Sequence, residues 1–268
     1  MKNDFLGEAS RLAIEAGHLV MSLRSASLSS NRKSDNSLVT EADLRSDELL
    51  RAGLSQSFPK HTILSEENGL SGPVDSEWMW MIDPLDGTRA YAKGIVGFSV
   101  MVGLLKNKKP YLGVVVDPVR DLVYEAVHAE GAFLTSKGIK TPLKVSDRKE
   151  FAQMPLVLST GCSDDLKKKL QESLALPLYA PINSVGIKIG LLVRKEADVY
   201  FSHHPIHEWD ACAPQVILEE AGGRMTLVTG APLDYDTQGR DFGRSLILAS
   251  NGRRHRELTD FFRLTPPV

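Results

Sequence analysis

Trp80-Met81-Ile82-Asp83-Pro84-Leu85-Asp86-Gly87-Thr88 is the most informative stretch of this 268-residue chain. Trp80 to Ile82 is a short apolar run of the kind that forms a buried strand. Pro84 lacks a backbone donor and has a fixed φ, so the chain is expected to turn directly after the strand. Asp83 and Asp86 then point to one side, with the Leu85 carbonyl between them. Gly87 and Thr88 begin a helix whose free N–H groups face the same spot. Oxygen ligands at a turn suit a hard divalent cation such as Mg²⁺, and helix-start N–H groups suit a phosphate. Together they describe a metal-assisted phosphate site. The plainer alternative is a strand-ending turn with solvated acids and a Thr cap.

On the N-terminal side, Phe5, Ala9, Leu12, Ala13, Ala16, Leu19, Val20 and Leu23 recur at helical steps and predict a first helix. The polar residues 25–37 read as a mobile loop. Thr40 reads as the N-cap of a second helix running to about Gln56, with Asp43 in the place of a capping box. Strands are expected over 62–64, 78–82, 98–105, 112–116 and 122–126, with an antiparallel meander between Leu104 and Val123. Beyond about residue 150 the rhythm alternates. Strands are predicted over 156–159, 178–181, 198–201 and 245–249, and helices over 164–174, 185–194, 208–222 and 252–262. The spacing thus predicts an N-terminal α+β half over 1–150 and a C-terminal α/β half over 151–268.

Two further acidic segments sit beside turns, Leu64-Ser65-Glu66-Glu67-Asn68-Gly69 and His207-Glu208-Trp209-Asp210. Several chemistries are excluded by spacing. Asp83 and Asp86 are three apart with Pro between them, which spoils the two-residue spacing of haloacid-dehalogenase-type phosphatases. No GxxxxGK[ST] loop, HExxH or GxSxG occurs. His203, His204 and His207 invite a zinc reading, but no Cys or regular ligand spacing accompanies them, and they read as loop histidines near a site mouth. Cys162 and Cys212 read as buried small hydrophobes, and the three Trp as core.

Composition supplies the boundaries. The 32 Lys+Arg against 34 Asp+Glu give a net charge of −2, which argues against a nucleic-acid polymer or an anionic membrane as partner. With 42 % hydrophobic and 25 % charged residues the chain has ordinary globular composition rather than that of a disordered one. No run approaches the roughly 18 apolar residues of a membrane span, and no signal-peptide core precedes the first helix. A soluble cytoplasmic protein is expected.

Glu66-Glu67, Asp83-Pro-Leu-Asp-Gly-Thr88, Trp209-Asp-Ala-Cys-Ala-Pro214 and Glu219-Glu-Ala-Gly-Gly223 occur in one order, and this order resembles the inositol monophosphatase superfamily. The resemblance implies a sandwich of alternating α and β layers, with the site between two halves. It implies a metal-dependent phosphomonoesterase using two or three Mg²⁺ ions. The implied metal ligands are Glu66, Asp83, the Leu85 carbonyl, Asp86 and Asp210, with Glu67 farther out. Asp43 and Thr88 would orient the attacking water, and the N–H groups of Gly87 and Thr88 would hold phosphate oxygens. Arg32–Lys33 is expected to close over the site. Inhibition by Li⁺ and a homodimer are further implications.

Within that superfamily the finer motifs resemble the 3'(2'),5'-bisphosphate nucleotidases. They are Lys33-Ser-Asp-Asn-Ser-Leu-Val-Thr-Glu-Ala-Asp43, the Trp209-Asp-Ala-Cys-Ala-Pro214 segment, and Ser184-Val-Gly-Ile-Lys188, where Ser184 and Lys188 would bind substrate with Asp210. The expected substrate is a small phosphate ester, 3'-phosphoadenosine 5'-phosphate first. One departure stands out, because Ser159-Thr-Gly-Cys162 replaces the Ser/Thr-Arg-Ser-His of those enzymes. Inositol 1-phosphate and fructose 1,6-bisphosphate are therefore the alternatives, and an inactive phosphate-ligand-binding regulator is a third class.

Overall fold

The apolar stripe expected near the N-terminus forms α1 (Phe5–Ala26) of a computed structural model that describes residues 4–26, 30–32, 38–236 and 241–264. Two short strands follow, β1 (Ser30–Arg32) and β2 (Leu38–Thr40), paired antiparallel, and β1 falls within residues 25–37 where a loop is expected. Lys33 and the Arg32 side chain, which are expected to close over the site, lie outside the described residues. Next comes α2 (Glu41–Ser57), capped as its sequence predicts. The Thr40 N–H donates to Asp43 Oδ2 at 2.8 Å, while Thr40 Oγ1 faces the Asp43 N–H at 3.4 Å.

An eight-stranded sheet occupies the middle of the chain. Its elements are β3 (Thr62–Ser65), β4 (Gly69–Ser71), β5 (Trp78–Asp86), the short helix α3 (Thr88–Ala92), β6 (Ser99–Lys106), β7 (Lys109–Asp117), β8 (Leu122–Val127), β9 (Gly131–Ser136) and β10 (Ile139–Pro142). The strand order is β10-β9-β8-β7-β6-β5-β3-β4, and every pairing is antiparallel except β3 with β5. The expected meander is present and runs two strands further, through the hairpin of β9 and β10.

The second half contributes β11 (Leu156–Val157), α4 (Asp164–Leu174), α5 (Val185–Val193), β12 (Val199–Phe201), α6 (Glu208–Glu220), β13 (Arg224–Leu227), β14 (Ile247–Ser250) and α7 (His255–Leu264). Its sheet has the order β11-β12-β14-β13, and only β11 and β12 are parallel. The strand expected over 178–181 is reduced to a single bridge between Leu178 and Leu156. Pro177 and Pro181 flank it and supply no ladder donors.

The elements stack as helix, sheet, helix, sheet, helix. Trp80, Ile82, Val100, Val102 and Val114 pack on Leu12, Ala16 and Leu50 of α1 and α2. The opposite face, with Met81, Met101 and Val115, packs on Ile189, Val216 and Ile217 of α5 and α6, which also carry the second sheet's Tyr200 and Ala249. Beyond that sheet, Leu156, Val199 and Phe201 meet Leu170 of α4 and Phe262 of α7. β5 is therefore covered on both faces, which explains why its sequence reads as a continuous apolar run rather than an alternating one.

Gly103 and Gly113 pair directly across β6 and β7. A Cβ at Gly103 would stand 2.5 Å from Cys212 Sγ, and one at Gly113 2.3 Å from the Ala213 carbonyl oxygen. The two glycines make a bare strip on which α6 lies almost backbone to backbone. Cys162 and Cys212 are both buried, as expected of small hydrophobes. Among the described residues no helix is long and apolar enough to cross a membrane.

His255, buried at the start of α7, has Nδ1 2.8 Å from Ser250 Oγ and Nε2 2.8 Å from Thr226 Oγ1. Burial, with Arg224 nearby, pushes its pKa down from 6.5 to about 4. The folded protein therefore binds this proton less well than the unfolded chain. The stabilisation is complete above about 6.5 and is lost as pH falls from there towards 4. We expect the stability advantage of wild type over His255→Gln to shrink by roughly 1–2 kcal/mol between pH 7 and pH 5 in urea denaturation. A pH-independent difference would contradict this.

Candidate active site

Two acids three positions apart would face opposite sides of a regular strand. β5 escapes this by a bulge, since Asp83 pairs with Met101 and Asp86 with Ser99, so three steps on one strand match two on its neighbour. Pro84 sits inside that bulge. The expectation that the chain turns away after Ile82 is corrected here, because β5 continues to Asp86 and the irregularity itself brings both carboxylates to one side. The Leu85 N–H donates to Asp83 Oδ1 at 3.0 Å, and Ser46 Oγ of α2 holds the Pro84 carbonyl at 2.8 Å.

Asp210 arrives from the other half, in the first turn of α6, where the His207 N–H donates to its Oδ2 at 2.6 Å. Ligand oxygens of Asp83, Asp86 and Asp210 lie within 4.8 Å of one another. Burial and crowding raise all three carboxyl groups above the usual carboxylate range. Asp83 is raised well above that range, by burial first and then by Glu66, Asp86 and Asp210. Asp86 is raised to about 6 by burial and Asp210, against donors from Ser184 and Gly186. For Asp210 burial outweighs the His207 N–H. Carboxylates forced together in this way fit a hard divalent cation, which supplies the missing positive charge to an all-oxygen donor set.

Glu66 is half-buried and lies beside this cluster without belonging to its tightest part. Its N–H donates to the Ile82 carbonyl at 3.1 Å, which sets it next to Asp83 across the parallel β3–β5 pair. Asp43 is buried on the opposite side of Thr88. Its Oδ2 accepts from Thr40 N and from Thr40 Oγ1 at 2.5 Å, while Oδ1 faces Thr88 Oγ1 at 2.9 Å. Burial raises the Asp43 pKa, with the Thr40 and Thr88 donors acting against it. Thr88 Oγ1 also lies 3.1 Å from the Leu85 carbonyl oxygen.

A cleft of about 500 Å³ joins these groups to the C-terminal half. Glu66, Asp86, Gly87, Thr88 and Asp210 line one part of it, and Ser159, Asn183, Lys188 and His203 another. Lys188 is not the solvated helix residue its charge could suggest. It is 1 % exposed, donates to Ser159 Oγ at 2.7 Å and the Asn183 carbonyl at 2.8 Å, and lies over the Tyr200 ring. Burial lowers its pKa to about 8, against the pull of Asp86 and Asp210. The neighbouring His203 is lowered to about 4 by burial and by His204, Lys188 and Lys167, and so is neutral at pH 7. Positive charge and neutral donors thus lead away from the acids along one wall.

The three loop histidines line the cleft as a mouth, and among the described residues they form no metal cluster. Trp209 packs against the core as expected, but it is only partly buried, and it also lines the cleft and stacks on His207 with ring centres 4.7 Å apart. Ser46, Ser99, Asn183 and Tyr200 also escape sequence reading. None belongs to a motif, and the lone charge in the apolar run Val185–Val193 was the available hint that something on this wall is polar.

Residues 2–261 match the sequence model of the inositol monophosphatase family, and the chain belongs to that family of phosphatases. It is 34 % identical over 242 residues to the inositol-1-monophosphatase of Synechocystis sp., covering 85 % of this chain and 78 % of that protein. It is 32 % identical over 236 residues to the 3'(2'),5'-bisphosphate nucleotidase CysQ of Escherichia coli strain K12, covering 86 % and 93 %. The structure of inositol monophosphatase from Anabaena (Nostoc) sp. superposes with a TM-score of 0.79 at 30 % identity, over 98 % of this chain and 97 % of that one.

Proposed function

We propose that this chain is a Mg²⁺-dependent phosphomonoesterase whose preferred substrate carries a second anionic group, with 3'-phosphoadenosine 5'-phosphate as the first choice. The observation that carries the substrate reading is Lys188, a buried cation in the wall of the cleft that also holds the acids. Similarity to a bisphosphate nucleotidase over most of both chains supports it.

Glu66, Asp83, the Leu85 carbonyl, Asp86 and Asp210 would hold two or three Mg²⁺ ions. The chemistry such ions would supply is a lowered pKa for a water and compensation of charge on the phosphate and the departing oxygen. The remaining work falls to the chain. Thr88 orients the attacking water through its hydroxyl, whose own proton points to Asp43 Oδ1. Asp43, fixed by Thr40, is the final proton acceptor. The N–H groups of Gly87 and Thr88 hold non-bridging phosphate oxygens. Lys188 and His203 receive the far end of the substrate.

A second reading, an inositol monophosphatase, is favoured by Ser159-Thr-Gly-Cys162. Here Ser159 is occupied by Lys188, Thr160 by Asn183, and Cys162 is buried, so no side chain of that segment replaces the Arg and His of the nucleotidases. Comparing kcat/KM on 3'-phosphoadenosine 5'-phosphate, inositol 1-phosphate and fructose 1,6-bisphosphate at saturating Mg²⁺ separates the two. The bisphosphate nucleotide is expected to lead, and Lys188→Met to remove that lead while leaving the inositol ester less affected. A clear preference for inositol 1-phosphate in the wild type would replace the first reading by the second. No phosphate release from any ester would point to a binding protein.

A further inference from the structure

Asp86 is gripped by the first turn of a helix from the other half of the chain. We propose that Ser184, together with Ser99 and the Gly186 N–H, is a positioning element that fixes which oxygen of Asp86 is offered to a metal ion. The proposal rests on the reading of Asp86 as a metal ligand.

Ser184 Oγ lies 2.6 Å from Asp86 Oδ2, and the Gly186 nitrogen lies 2.9 Å from the same oxygen. Ser99 Oγ is 3.4 Å from that oxygen and 2.9 Å from Ser184 Oγ. The Ile187 N–H donates to Ser184 Oγ at 3.0 Å, which makes Ser184 the N-cap of α5. A hydroxyl has one proton and two lone pairs. Ile187 takes one lone pair, because an N–H can only donate. An ionised carboxylate can only accept, so the Ser184 proton points to Asp86. The Ser99 hydroxyl fills the second lone pair.

Ser184 is thereby saturated and fully buried, which leaves it no capacity for the direct substrate contact expected from its motif. The donors converge on Oδ2, and among the described residues no hydrogen bond reaches Asp86 Oδ1. Oδ1 is the oxygen left for a cation.

Gly186 is needed for this geometry. A Cβ there would stand 2.6 Å from Ser99 Oγ and 2.8 Å from both Met101 Sδ and Val115 Cγ1, so only glycine brings this N–H down to the carboxylate. Asp83 and Asp210 are each held by a backbone N–H from two or three residues away. The donors to Asp86 Oδ2 from α5 come from 98 and 100 residues away. Among the three acids, Asp86 is thus oriented by the docking of one half on the other.

The test is Mg²⁺ affinity of the full chain without substrate, by calorimetry and by Mn²⁺ electron paramagnetic resonance. Ser184→Ala is expected to weaken binding by about 10–100-fold, the effect typical of removing a partner that orients a metal ligand. Ser184→Thr, which keeps both cap and donor, is expected to restore it. Ser163→Ala removes the equivalent cap of α4, a helix that bears none of the three clustered acids, and is expected to lower Tm while leaving Mg²⁺ affinity alone. Should Ser184→Ala fail to fold, Ser99→Ala, which caps no helix, must show a smaller weakening in the same direction. Wild-type affinity in the folded Ser184→Ala or Ser99→Ala protein, beside loss of binding in Asp86→Asn, overturns the proposal. Wild-type affinity in Asp86→Asn overturns the ligand reading beneath it.

Discussion

Asp83→Asn is expected to hydrolyse phosphomonoesters about 10²–10³-fold more slowly than wild type and yet to melt at a higher temperature when both are stripped of divalent cations. The two effects have one cause. Asp83 is buried against Glu66, Asp86 and Asp210, and its carboxyl is held well above the usual range by burial and those three charges. A carboxyl raised in this way contributes its stabilisation in full below its unfolded value of 3.8, and that contribution is lost as pH rises through its folded value. At neutral pH the bare cluster is therefore a strain on the fold, and an amide in place of Asp83 relieves it. The same amide takes away negative charge a cation would need. Differential scanning fluorimetry with EDTA and then with Mg²⁺ reads both: wild type should gain the larger increment on adding Mg²⁺, and the variant should start higher and gain less. A variant that starts lower without cations, or that keeps wild-type activity, removes the basis for the metal assignment.

The second large effect is on the proton path. Thr88→Val keeps the side chain's shape but removes the hydroxyl between cleft and Asp43. Asp43→Asn keeps an oxygen to accept from the Thr40 N–H, so the capping of α2 survives. Each is expected to lower kcat by about 10²–10⁴-fold while leaving Mg²⁺ affinity near wild type. Because the two groups act in series across a 2.9 Å hydrogen bond, the double variant is expected to be no worse than the poorer single one. Measured losses that multiply would show that Asp43 and Thr88 serve independent steps.

Local signals in the sequence carried a good deal of this. The capping box of Thr40 and Asp43 was legible because both of its members lie within one turn, and its consequence, an Asp43 oxygen left over for Thr88, follows from the same geometry. The helix expected over 164–174 is α4 with the same limits, since Ser163 and the acidic first turn mark its start plainly. The strand end at Asp83 was misread for the opposite reason. Pro84 does remove a ladder donor, but a bulge can absorb that loss where a turn was expected, and only the register against β6 reveals it. The hairpin of β9 and β10 was missed although Lys137-Gly138 sits at its turn. Nothing local could have placed Ser184 on Asp86 or Lys188 on Ser159, because those contacts exist only after two sheets have closed on the helices between them.

Gly103 and Gly113 have no chemistry to offer and do not line the cleft, yet they set how near α6 can come to the sheet that bears Asp83 and Asp86. A methyl group at Gly113 would overlap the Ala213 carbonyl, and α6 would have to lift, carrying Asp210 with it. The distance across the acidic cluster is thus written partly in atoms that are missing. Substitutions at these two positions would be felt as damage to the site although no reacting group had been touched, and a search confined to polar residues would pass over them.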